Sequence, residues 1–163
     1  MTRASAAYRD TLCRYYEEEI EGEAYFAELA RRCADPLARH RLHLLAEVER
    51  HAAGAVAPLI ARHGIVPKER AALIASGIAE ARAAPAHWSD LAAEMRQSYP
   101  GYVEAFLALE ALGPADDRAR LAFLTGHERA ALDFLHRDAA GEAGAEAPLH
   151  RYLRSRPEDG AGP

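Results

Sequence analysis

The sequence predicts an all-α bundle of four long helices, and three observations carry that prediction. Alanine, leucine, glutamate and arginine dominate the 163 residues, so most segments favour helix and almost none favours strand. Apolar residues recur at steps of three and four over long stretches, the spacing that keeps side chains on one helical face. Those stretches are separated by short links rich in Gly, Pro and Asp.

The first helix is expected from about Ser5 to Cys33, with Ser5 as its cap. Asp35-Pro36 ends it and starts the next, since Asp caps and Pro suits a first helical turn. So short a link makes the two helices antiparallel. The second helix runs to about His63 and stops at Gly64, with Pro58 expected to bend it. Pro67 opens a shorter helix, Lys68 to Ala84, about 25 Å long, which reads as a crossover to the far end of the bundle. A third long helix follows from about His87 to Leu112, with a kink or break expected at Pro100-Gly101. Gly113-Pro114 ends it, and Asp116 or Asp117 begins a fourth that continues to about Ala140. Residues 1–140 form the bundle domain, and 141–163, rich in Gly, Pro and charge, read as a flexible tail with at most a short turn around Leu149 to Leu153.

Composition excludes several function classes. Acidic residues exceed basic ones by five, and the basic residues are dispersed as i,i+4 partners of glutamates, which removes the footprint of nucleic-acid binding. No apolar run approaches the roughly 20 residues of a membrane span, and no apolar signal block opens the chain. Cys13 and Cys33 lie about 30 Å apart on one helix, too far to bridge, which fits a reducing, cytoplasmic setting. Alanine-rich secondary faces suit a homodimer.

The chemistry lies in the apolar seams. On the first helix Leu12, Tyr16, Glu19, Glu23, Phe26, Ala30 and Cys33 share a face, so two carboxylates interrupt an apolar stripe. On the second, Glu49 falls inside the face drawn by Leu42, Leu45, Ala52, Val56 and Leu59. On the fourth, Glu128 sits among Leu121, Leu124, Ala131, Leu132 and Leu135. The third helix offers Leu91, Met95, Tyr102, Phe106 and Leu109, so its central polar group is a phenol. Buried carboxylates must be paired, protonated or bound to a cation, because like charges raise one another's pKa. Oxygen donors with an added imidazole suit iron or manganese; shared protons with hydrogen bonds from Tyr16 or Tyr102 are the alternative. His127 adjoins Glu128 and shares a secondary stripe with Phe123 and Phe134, about 100° from the carboxylate seam.

Over roughly residues 8 to 140 this layout resembles the ferritin-like superfamily, in particular its small rubrerythrin-like bacterial members. In that family the first and third helices each give a glutamate, and the second and fourth each give Glu-x-x-His. Glu23, with Glu19 as alternative, matches the first-helix ligand, and Glu49 and Glu128 match the next glutamates; Ala52 and Ala131 stand where the family has histidine. The resemblance implies a carboxylate centre holding iron or manganese and oxygen or peroxide chemistry. Their positions make Tyr16 and Tyr102 candidate donors to the carboxylates or to a bound oxygen species. The candidate ligand set is Glu19, Glu23, Glu49 and Glu128, with His127 as the nearby imidazole that stands in for the family's missing histidine. Two other readings remain: a metal-free dimeric scaffold or small-ligand-binding protein, and acid–base catalysis by a glutamate beside His127.

Overall fold

The computed structural model describes residues 4–157. Among them it is all-α: α1 (Ala6–Arg32), α2 (Pro36–Arg62), α3 (Arg70–Ala83), α4 (Trp88–Leu112), a 3-10 turn (Ala115–Asp117), α5 (Arg118–Ala139) and α6 (Ala147–Arg154). No described helix is long and apolar enough to cross a membrane.

The helix ends follow local chemistry. The Ser5 hydroxyl accepts from the Tyr8 N–H at 3.1 Å, and the Asp35 carboxylate accepts from the Ala38 N–H at 2.8 Å. α2 stops in a Schellman motif, in which Gly64 takes φ +58° and the Ile65 N–H reaches back to the Ile60 carbonyl at 3.0 Å. α3 starts two residues later than the sequence pattern suggests. Lys68 is held instead by Glu17, through its N–H at 2.8 Å and its ammonium at 3.0 Å. α2 and α4 run unbroken through Pro58 and Pro100. Both prolines are exposed, so water can serve the carbonyls they leave unpaired and no break is needed at Pro100-Gly101.

α1 packs extensively on α2, α4 on α5, and α2 on α5, while α1 and α4 touch only sparingly. That leaves a cleft between α1 and α4. α3 closes the opposite flank of α1, where Ile20, Ala53 and Leu73 form a small second cluster. The approach is close because Gly77 has no side chain; a Cβ there would fall 2.2 Å from the Glu21 carbonyl oxygen. Asp117 stands at the start of α5 but its side chain caps nothing. Its buried carboxylate instead gathers the Tyr8 hydroxyl at 2.7 Å, Arg62 at 2.6 Å and His63 at 2.6 Å, joining α1, α2 and α5.

The reading of 141–163 as a loose tail does not hold over its described part. α6 packs on α5 and α2 and buries Pro148, Leu149 and Tyr152, with Ala145 buried in the turn before it. Gly and charge gather in the turn before α6 and in the residues after it, whereas α6 itself carries a compact apolar face. Residues 158–163 lie outside the described part.

Candidate metal centre

Three helices bring four donors to the floor of the α1–α4 cleft. Glu19 comes from α1, Glu49 from α2, and His127 with Glu128 from α5; all four are buried. The His127 Nε2 atom lies 3.0 Å from Glu19 Oε2, 3.5 Å from Glu128 Oε1 and 3.8 Å from Glu49 Oε2. Ligand atoms of Glu19, Glu49 and His127 all fall within 4.8 Å of one another. Metal–ligand bonds of 2.0–2.2 Å set neighbouring donors about 3–3.6 Å apart, so the cluster is close to, and slightly wider than, the shell of one ion.

The orientation of the imidazole is the most informative detail. His127 is fully buried, and its Nδ1 donates to the Leu124 carbonyl one turn back. That bond fixes the ring and leaves Nε2 facing the carboxylates, the arrangement in which histidine serves as a ligand. Yet Nε2, Glu19 Oε2 and Glu128 Oε2 are buried without a hydrogen bond. At 3.0 Å the His127–Glu19 pair attracts as two charges, but the N–H direction misses the oxygen. The atoms converge on a shared space more than on each other.

Protonation of the cluster follows from its burial. Burial lifts the Glu49 carboxyl well above the usual carboxylate range, the Glu19 charge lifts it further, and His127 pulls only partly against them. For His127, burial acts downward, but the Glu19 and Glu128 carboxylates outweigh it and hold the imidazole well above its ordinary value. The ion-free cluster therefore holds protons at sites that a cation would otherwise occupy. Space for Glu49 comes from Gly22 on the facing helix, where a Cβ would stand 2.8 Å from Glu49 Oε2. A buried imidazole with a fixed ring, carboxylate oxygens without hydrogen bonds and a glycine cradle together fit a metal ion.

Not all of the expected ligands meet here. Glu23 lies outside the centre, paired with Arg50 of α2 at 2.7 Å and Arg70 of α3 at 3.5 Å. Packing of α3 widens the buried arc of α1, so the seam runs through Leu12, Tyr15, Glu19 and Phe26, and Glu23 falls in the groove between α2 and α3. Tyr16 is half-buried and packs on both the Ile20 cluster and the main core, apart from the four donors. Tyr102 is 45 % exposed at the rim of the cleft, and the buried phenol of α4 is Tyr99, one turn earlier. α4 places no carboxylate among the four donors; Met95, Tyr99 and Phe106 wall the cleft there. Ala52 and Ala131 sit in the dry core.

His127 reaches the centre because α6 covers its side of α5. Its ring packs edge-on to Phe106 at 5.3 Å and lies 6.3 Å from that of Tyr152, while the Tyr152 hydroxyl donates to the Phe123 carbonyl at 3.1 Å. The secondary stripe thus becomes interior. The signal for this was the apolar face of Leu149, Tyr152 and Leu153. Similar relatives offer no further constraint: the chain matches no protein-family model, no curated protein and no solved structure.

Proposed function

We propose that the protein is a ferritin-like metalloprotein holding a single divalent ion, iron or manganese, on Glu19, Glu49 and His127, with Glu128 at the edge of the set. The carrying observation is the buried His127 imidazole, tied at Nδ1 and without a hydrogen bond at Nε2, which faces two carboxylates from other helices. One imidazole and no α4 carboxylate support one ion over two. A redox-active ion held there supplies oxygen or peroxide chemistry, as the family resemblance implies. The chain's own part is to fix the ligands from three helices, hold His127 through Leu124, and keep the centre dry on every side except the cleft. Tyr99, whose phenol burial and then the Glu128 and Glu49 charges push well above its ordinary value, stays protonated in the wall.

The test is metal analysis of protein purified without chelator and of apoprotein titrated anaerobically with Fe(II) or Mn(II), alongside Glu19→Gln and His127→Gln. One ion per chain, lost in both variants while the helical signal persists, is the expected result. Folded protein that takes up neither ion refutes the proposal.

A metal-free scaffold is the second reading, favoured by one observation. With Glu49 protonated and His127 charged, the 3.0 Å contact to Glu19 is a serviceable buried ion pair without any ion. Light scattering tests the homodimer proposed with it.

A further inference from the structure

The cleft above the centre has a volume of about 410 Å³, within the range of small-molecule sites. No lysine or arginine lines it. Acids from three helices stand along its outer part: Glu18 and Glu21 on α1, Glu80 on α3 and Glu94 on α4. Glu80 and Glu94 are exposed, and neither they nor Glu21 form an ion pair among the described residues; Glu18 meets only Arg14, at 3.9 Å. Between this rim and the floor lie the rings of Tyr25, Tyr99, Tyr102 and Phe106, with Met95 beside them. On the floor, Glu19 Oε2 and Glu128 Oε2 are buried without a hydrogen bond, Glu19 Oε2 facing the His127 ring.

An anion entering this cleft would meet the rim carboxylates with no lysine or arginine to offset them. A neutral apolar molecule would leave them unused. A cation with an apolar body satisfies both halves, because the carboxylates attract its charge while aromatic faces stabilise a desolvated ammonium. Tyr25 sits where the two meet: burial and then the Glu94 and Glu80 charges push its phenol up to about 12, so its ring stays neutral between two acids.

We infer that the cleft binds a protonated organic amine, its ammonium held by Glu80, Glu94 and the neighbouring tyrosine faces and its apolar body lying against Met95, Tyr99 and Phe106. This deepens the proposed function by naming a substrate class for the same site, and it rests on that reading only for the ion beneath. The residues that recognise the amine are not among the ligands, so the two can fail separately.

Calorimetry of the full chain, ion-free and manganese-loaded, with 2-phenylethylammonium, 2-phenylethanol and 3-phenylpropionate tests the inference. The ammonium compound should bind about two- to fivefold more tightly than the alcohol, the scale of a solvent-accessible cation contact, and the carboxylate should not bind the ion-free chain. Glu80→Gln with Glu94→Gln, both at exposed positions, should remove that advantage and leave manganese stoichiometry unchanged. Equal binding of amine and alcohol, or an advantage that survives the double substitution, overturns the inference. So does a double variant that loses manganese uptake while the parent binds no amine, which would make the rim an entry path for metal ions. Amine binding by a chain that takes up no manganese refutes only the metal reading.

Discussion

Gly22→Ala separates a metal site from a mere polar core, because its two effects run in opposite directions. Replacing a mid-helix glycine by alanine favours the helix by about 0.5–1 kcal/mol. Against this, the new Cβ would stand 2.8 Å from Oε2, 3.1 Å from Cδ and 3.3 Å from Cγ of Glu49. The carboxylate must retreat by roughly 0.5 Å to reach ordinary contact, which the far end of a flexible side chain does cheaply. The ion-free variant should therefore be as stable as the parent or gain about 1–3 °C in Tm. A metal centre tolerates ligand displacement of only about 0.2 Å, so affinity for Fe(II) or Mn(II) should fall by about 10- to 100-fold. Thermal unfolding of the ion-free protein and calorimetric titration with Mn(II) read the two effects. A variant that gains stability and binds Mn(II) as tightly as the parent refutes the assignment of Glu49 as a ligand.

Because Glu49 and His127 are both held above their ordinary values, ion uptake should release about one to two protons and weaken as pH falls. Titration in buffers of different ionisation heat checks this, and a buffer-independent heat contradicts it. Leu149→Ala should cost about 2–5 kcal/mol in a urea melt, because Leu149 is fully buried where α6 covers His127; a change within 0.5 kcal/mol, the ordinary surface effect, would place α6 off the core. At Asp117 burial acts upward, yet hydrogen bonds from Tyr8, His63 and Arg62 hold the carboxyl below its ordinary 3.8. The unfolded chain thus takes up this proton first, and the stabilisation is present above about pH 4 and lost as pH drops through the depressed value. Asp117→Asn should cost about 2–4 kcal/mol at neutral pH and flatten that acid limb of the stability profile, as read by unfolding between pH 2 and 7.

The helical layout was legible because it depends on local rules. Ser5, Asp35, Gly64 and Gly113 punctuate the chain through caps and turns, and three-four periodicity identifies which residues each long helix buries, give or take a small rotation. Glu19, Glu49 and Glu128 could be picked out for the same reason: a carboxylate inside an apolar seam is visible in one dimension. Rotation itself was not legible. A helix packed on two sides buries a broader arc than its strongest stripe, which is why α3 moved the seam of α1 away from Glu23 and Tyr16. On α4 the same uncertainty exchanged Tyr102 for Tyr99.

By itself, then, the sequence determined an all-α chain with costly acids in three of its seams, because periodicity and burial cost are properties of single helices. Only the tertiary structure decided which of those acids meet, and how the His127 imidazole turns to face them. On an isolated α5, His127 lies on a secondary stripe about 100° from the carboxylate seam; it becomes a centre-facing donor once α6 closes over that stripe and the Leu124 carbonyl fixes its ring. Convergence of side chains from α1, α2 and α5 depends on packing between segments far apart in the chain, and no local pattern encodes it.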